Sequence, residues 1–197
     1  MKKILFFLWL PLVLQGCDGS LNSNQEELDQ FVLDSSIWTV QLGTGTTDSA
    51  QGLSIDSQGN LYLAGYTSGN LQENGNAGGQ DLVLIKYDSN GDRQWTRQLG
   101  VTGDDVAFAS ATDSSGNVYA AGYTEGGLDG NTHIGSFDLF IVKYDQDGIK
   151  LWSVQHGTSA KDVIFAIATD ASDDVYVAGY TAGNLDSNTS DGGDDLI

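Results

Sequence analysis

The sequence predicts an all-β protein assembled from one repeated unit, and three observations carry that prediction. Trp38, Trp95 and Trp152 are evenly spaced at 57 residues. The same offset carries Gly43 onto Gly100 and Gly157, Asp56 onto Asp113 and Asp170, and Tyr62 onto Tyr119 and Tyr176. A gapless period of this size is the signature of a solenoid, a propeller or another array. Second, each unit divides into four short apolar segments separated by turn signals, a pattern of strands rather than helices. Third, two of those segments are apolar on both faces, so each sheet is sandwiched between neighbours instead of having one wet side.

Taken in order, segment a runs from Asp48 to Asp56, with equivalents Asp105–Asp113 and Asp162–Asp170. It carries small residues on one face (Ala50, Gly52 and Ser54; Ala107, Ala109 and Ala111; Ala166 and Ala168), as needed where strands converge on an axis. Segment b, Asn60–Thr67, alternates Leu61, Leu63 and Gly65 with Tyr62, Ala64 and Tyr66. Segment c, Asp81–Asp88, contains the unbroken run Leu82-Val83-Leu84-Ile85, and segment d is Gln94–Gly100. The turns Asp56-Ser-Gln-Gly59 and Asp88-Ser-Asn-Gly91 place a carboxylate three residues before a glycine. The carboxylate caps nearby N–H groups and glycine takes positive φ. Four strands, two buried faces and a crowded inner strand together predict a β-propeller of four-stranded blades.

The motif Gly59-Asn60-Leu-Tyr62-Leu-Ala-Gly65-Tyr66-Thr67, followed by Asp81 to Asp88, Gly91 and Trp95, resembles the bacterial β-propeller repeats of the SBBP type, from Trp38 to Ile197. The resemblance implies a propeller placed outside the cytoplasm, and it implies no reaction. The third copy departs from it at Ser172-Asp173, where glycine is expected, which predicts a slightly strained turn. The repeats divide as 38–94, 95–151 and a truncated 152–197. About three blades are too few for rings of about 4–8. The expectation is therefore an incomplete propeller, read as a fragment or truncated reading frame, with assembly from several chains as the second reading. Trp38–Gly43 has the pattern of an unattached d strand, of the kind that pairs with the last blade in closed propellers.

Residues 1–16 read as a leader: Lys2 and Lys3 precede an apolar stretch, Ile4–Leu14, too short to span a bilayer. Its end, Leu14-Gln15-Gly16-Cys17, resembles the lipobox of bacterial lipoprotein signal peptides. That resemblance implies a membrane anchor on Cys17 and a place in the bacterial cell envelope, facing the periplasm or the exterior. Cys17 is the single cysteine, so no intrachain disulfide competes for it. Residues 17–37 are polar and acidic and read as a tether, with Phe31-Val32-Leu33 placed to pack back onto the first blade. The net charge of −19 argues against nucleic acid and anionic lipid as partners and leaves a protein or glycan ligand.

The b–c connections, 68–80, 125–137 and 182–194, are long and differ among copies, and such loops are where function concentrates. They supply Asp129 and Asn131, equivalent to Asp186 and Asn188. Asp48, Asp105 and Asp162 open the inner strands on the same rim. In a closed ring these three are a candidate seat for Ca²⁺; the other reading is that each caps its own d–a turn. The Asp88–Asp92 segment lacks the spacing of an EF-hand and reads as a turn. His133 and His156 do not recur and form no triad or metal spacing, so no catalytic residue and no resident cofactor are assigned. Tyr62, Tyr66, Tyr87 and Trp95 read as inter-blade core. The leading function is a lipid-anchored, non-catalytic binding or scaffolding module. The alternative is a propeller hydrolase or lyase acting on extracellular polysaccharide with rim carboxylates.

Overall fold

The computed structural model describes residues 38–71 and 75–197. The leader, the proposed anchor at Cys17 and the tether with Phe31–Leu33 lie outside the described residues. Two complete blades and part of a third follow one another. The first contains β1 (Asp48–Ile55), β2 (Leu61–Thr67), β3 (Asp81–Tyr87) and β4 (Arg93–Leu99). The second contains β5 (Asp105–Thr112), β6 (Val118–Thr124), β7 (Asp138–Tyr144) and β8 (Lys150–His156). The third contains β9 (Asp162–Thr169), β10 (Val175–Thr181) and β11 (Asp195–Leu196). Each sheet is an antiparallel meander in chain order. The protein is all-β, an incomplete propeller built on the 57-residue repeat.

The a–b and c–d turns owe their shape to aspartate. Asp56 Oδ1 accepts the amides of Gln58 and Asn60, each at 2.9 Å, while Oδ2 accepts Asn60 Nδ2 at 2.8 Å and the Tyr62 hydroxyl at 3.2 Å. Asp113 repeats the arrangement, and Asp170 repeats it without the side-chain amide, since Asp174 stands where Asn60 and Asn117 stand. In the third copy Asp173 takes the left-handed conformation at φ 65°, where L-residues other than glycine are disfavoured. Its carboxylate accepts the amide and hydroxyl of Ser114 at 2.8 and 2.7 Å, a bond to the preceding blade that glycine would lack.

The inner strands are not regular. The pairing of β1 with β2 skips Gln51, that of β5 with β6 skips Phe108, and that of β9 with β10 skips Phe165. Each is a β-bulge, one extra residue opposite the partner strand, and the three recur at the repeat spacing. The bulge reverses the alternation. Ala50 is thus out of phase with Gly52 and Ser54, which corrects the single small-residue face expected from sequence. It also explains Gly65, Gly122 and Gly179. A Cβ on them would lie 2.0, 1.8 and 1.9 Å from the carbonyl oxygens of Ser49, Val106 and Val163. Convergence on the axis holds at Gly52, whose Cβ would meet Ala109 Cα and Phe108 O at 2.7 Å.

The core lies between blades. Tyr62, Ala64, Leu82, Leu84 and Trp95 of the first pack against Ala107, Val118, Ala120, Phe140, Val142 and Tyr144 of the second. Burial of each large side chain contributes about 1.5–3 kcal/mol. Tyr62 and Trp95 are buried between the first two blades, while Tyr87 is buried on the outer face of the first blade beside Trp38. Hydroxyls stitch the inner strands together: Ser110 Oγ donates to Ser54 Oγ at 2.9 Å and Thr169 Oγ1 to the Thr112 carbonyl at 2.7 Å. Trp38–Gly43, expected as a d strand, forms no strand in the structure. Among the described residues no c strand lies beside it to supply a ladder. It covers the outer face of the first blade instead, with Trp38 6.1 Å from Tyr87 and Leu42 against the Val83–Ile85 cluster.

Candidate functional site: the loop rim

The rim that carries the b–c loops is built on a recurring hydrogen-bond cage. Asp48 Oδ2 accepts the Thr44 amide at 2.6 Å, Asp105 Oδ2 the Val101 amide at 2.7 Å, and Asp162 Oδ2 the Thr158 amide at 2.6 Å. The Oδ1 atoms accept the hydroxyls of Thr67, Thr124 and Thr181. Those threonines in turn accept the amides of Gly69, Gly126 and Gly183, where the loops begin. Each of the three rim aspartates therefore sits inside its own d–a turn. Among the described residues no group of three His, Cys, Asp or Glu is placed to hold a metal ion.

In the first two blades a glutamine from the outer strand ties the start of the loop to strand c. Gln98 Nε2 donates to Asp81 Oδ2 at 2.8 Å and to the Gly69 carbonyl at 2.9 Å, while its Oε1 accepts the Leu71 amide at 2.9 Å. Gln155 does the same with Asp138, Gly126 and Leu128. One amide thus binds strands c and d and the loop together. Burial pushes Asp105 up to about 6, helped by the nearby Asp81 and Asp104 charges, against the bonds from Thr124 and Val101. At Asp48 burial also acts upward, but the bonds from Thr44 and Thr67 outweigh it and hold the carboxyl low.

The loop residues singled out by sequence are engaged in folding the loops. Asp129 bonds Lys150 Nζ and accepts the Ser153 hydroxyl at 2.7 Å, and it takes φ 57° within the short 3₁₀ turn Leu128–Gly130. Asn131 Nδ2 donates to the Leu128 carbonyl at 2.8 Å. Asp186, at φ 51° in the matching turn Leu185–Ser187, lies 2.8 Å from His156 Nε2, and Asn188 Nδ2 donates to the Leu185 carbonyl at 3.1 Å. The two loops share the 3₁₀ turn and differ in the side chains they show around it. His133 Nδ1 approaches Asp138 Oδ2 at 3.4 Å.

Sequence reasoning missed an aromatic strip on this rim. The bulge residues Phe108 and Phe165 lie 5.3 Å apart; Phe108 reaches Tyr123 at 5.8 Å and Phe165 reaches Tyr180 at 5.7 Å. Phe137, from the second loop, stacks on Tyr123 at 4.5 Å. Tyr123 and Tyr180, the equivalents of Tyr66, belong to this strip. Phe165 is 54% exposed, and its neighbours in the strip are half-buried. The signal that could have found it is a phenylalanine recurring among alanines in segment a, where a bulge re-aims the side chain.

The opposite rim holds a polar groove of about 570 Å³ between the first two blades, with Lys86, Trp95 and Arg97 among its walls. A smaller groove lies between Val40–Leu42 and Tyr87–Arg93. Trp95 Nε1 and Lys86 Nζ both donate to the Gln146 carbonyl, at 3.0 and 2.9 Å, and so tie the second blade to the first.

Residues 37–72, 94–129 and 151–186 match the family model described as SBBP, beta-propeller repeat. The chain is 24% identical over 200 residues to an uncharacterised WD repeat-containing protein of Acanthamoeba polyphaga mimivirus, covering 80% of this chain and 14% of that protein. It is 29% identical over 155 residues to the regulatory protein FlaEY of Caulobacter vibrioides, covering 72% of this chain and 16% of that protein. The chain therefore spans about one seventh of the length of these curated relatives.

Proposed function

The chain belongs to the SBBP beta-propeller repeat family, and from that premise we propose that it is a non-catalytic binding or scaffolding module, held at the bacterial cell envelope by a lipid on Cys17. The aromatic strip carries this reading. Phe108, Tyr123, Phe137, Phe165 and Tyr180 form a continuous, partly exposed row beside loops whose side chains vary among the copies. Rigid aromatic anchors ringed by adaptable polar groups are what interfaces use to gain affinity at low entropic cost. The rim carboxylates Asp48, Asp105, Asp162 and Asp129 spend their oxygens on their own blades, which supports a display role over an acid–base one. The ligand is a protein or a glycan met outside the cytoplasm.

The binding surface is tested by placing a photo-crosslinking residue at Phe165, at Asn131 and, as control, at Ser115 on the opposite rim, in cells expressing the full chain. Discrete adducts from Phe165 and Asn131 alone are expected. Equal labelling from Ser115, or none from the loop rim, refutes the assignment. The anchor is tested separately with labelled palmitate, which should tag the wild type and spare Cys17→Ser.

A further inference from the structure

The polar groove between the first two blades holds two cations that no carboxylate answers. The chain has 27 acidic residues against 8 lysines and arginines, and Lys143 and Lys150 each pair with an aspartate. Lys86 and Arg97, both in the groove wall, do not: among the described residues neither forms an ion pair. They lean on main-chain carbonyls instead. Lys86, which is buried, donates to the Gln146 carbonyl at 2.9 Å. Arg97 donates from Nε to the Gly148 carbonyl at 2.5 Å, and from its terminal nitrogens to those of Thr96 at 2.8 Å and Asp147 at 3.2 Å. The strands of the first blade and the c–d turn of the second thus fix both cations in place.

These bonds leave donors over. An ammonium carries three N–H groups and a guanidinium five. The carbonyls take one from Lys86 and three from Arg97, so two remain on the ammonium and one on each terminal nitrogen of the guanidinium. The charges also stay uncancelled. The Tyr62 ring lies 5.4 Å from Lys86 Nζ and the Trp95 ring 5.4 Å from Arg97 Cζ, contacts that attract a cation without neutralising it. The remaining walls offer acceptors. Asn60 and Gln94 spend their side-chain nitrogens on Asp56 and Asp88. Among the described residues, their amide oxygens and the exposed Asp147 carboxylate receive no hydrogen bond. Asp88 is different: both its oxygens are taken up within its own turn.

We propose that this groove binds a small acidic sugar, a hexuronate, whose carboxylate meets Lys86 and Arg97 and whose ring hydroxyls donate to Asn60, Gln94 and Asp147. A carboxylate brings two oxygens to the paired guanidinium donors, and such charge-assisted bonds are about twice as strong as neutral ones. Hydroxyls supply the donors that the amide oxygens and Asp147 lack. The groove, about 570 Å³, falls in the range of sites that hold small polar ligands. The net charge of −19 selects a single acidic sugar over a polyanionic chain. A polymer would lie along the acidic exterior and be repelled, whereas one carboxylate at Lys86 and Arg97 is within contact range of two cations. Beyond about 8 Å physiological salt screens the rest of the surface. The site lies on the rim opposite the aromatic strip, so it stands or falls separately from the display role of that strip.

Titration of the full 197-residue chain with D-glucuronate, followed by nitrogen-15 NMR in mild detergent, tests it. Saturable shifts are expected at the amides of Gln94, Arg97 and Asp147, with the amide of Phe165 on the other rim unmoved. D-glucose lacks the carboxylate, acetate lacks the hydroxyls, and L-alanine replaces the hydroxyls with an ammonium. Each should bind about tenfold more weakly or worse, since each leaves polar groups of the groove unmet. Arg97→Gln should weaken glucuronate by about tenfold or more. Because Arg97 also ties the second blade to the first, Gln94→Ala serves as a second variant. Gln94 is exposed, its loss leaves the bonds of Lys86 and Arg97 intact, and it should weaken glucuronate by about threefold to tenfold. Absence of a saturable shift overturns the proposal. So does glucose, acetate or alanine binding the same amides as tightly as glucuronate, or glucuronate binding undiminished in Gln94→Ala and in a folded Arg97→Gln.

Discussion

Gln155 and Asp138 stand on neighbouring strands with Nε2 donating to Oδ2 at 2.8 Å, and the same amide holds the start of the loop that follows β6. The glutamine serves three polar groups, two of them on the main chain, with a single planar side chain. Gln155→Leu keeps the volume and removes all three partners. Leaving buried donors and acceptors unmet costs about 1–3 kcal/mol. Chemical denaturation should show a lower midpoint with an unchanged slope, and hydrogen exchange at Leu128 should quicken more than exchange in β5.

A second expectation concerns the glycine facing each bulge. A methyl group at Gly122 would lie 1.8 Å from the Val106 carbonyl oxygen, a backbone atom that cannot swing aside. Gly122→Ala must therefore push β5 away from β6, at a cost of about 3 kcal/mol or more. Gly45→Ala is the control, because nothing lies within 4 Å of its added methyl. A thermal melt should separate the two variants clearly; equal melting temperatures would mean that the bulge relaxes.

The lysines of strand c give a third test. Lys143 Nζ lies 2.9 Å from Asp113 Oδ2 and 4.7 Å from the centre of the Tyr119 ring. Lys86, its equivalent, reaches instead across to the Gln146 carbonyl of the next blade at 2.9 Å. Lys143→Met removes the charge partner of a buried carboxylate and should cost about 1–3 kcal/mol, whereas Lys86→Met gives up one bond to a neutral carbonyl, about 0.5–1.5 kcal/mol. Denaturation midpoints of the two variants should fall in that order.

What the sequence made legible was local or periodic. Asp56, Asp113 and Asp170 announce their turns because carboxylate, amides and glycine lie within five residues of one another. The strands follow because four apolar segments recur in register. The bulge at Phe108 was hidden because a two-for-one pairing changes which face a residue occupies without changing the composition of the strand. The aromatic strip was lost with it. The partners of Asp129 and Asp186 were out of reach for a different reason. Lys150 and His156 come from an outer strand more than twenty residues away, and neither contact repeats in the other blades. Trp38–Gly43 shows the limit of pattern: its residues match a strand, but a strand needs a neighbour.

The last expectation is a pH dependence that runs opposite to ordinary acid denaturation. Asp105 is fully buried, and burial, with Asp81 and Asp104 nearby, pushes it up to about 6 from an ordinary value near 3.8. A carboxyl whose folded value is raised binds its proton more tightly in the folded state. Its favourable contribution is complete below about pH 4 and is lost as the pH climbs through 6. At Asp48, Asp56 and Asp113 burial acts upward as well, but hydrogen bonds outweigh it, so their contribution is present above pH 4 and fails below it. Between about pH 4.5 and 6.5 the contribution of Asp105 is lost, on the order of 1–2 kcal/mol. Melting temperature should fall across that window in the wild type. In Asp105→Asn, whose amide oxygen can still accept from Val101 while its nitrogen bonds the Thr124 hydroxyl, the fall should flatten. An identical slope in both proteins would show that Asp105 is charged throughout and that its cage, not its proton, meets the demand of burial.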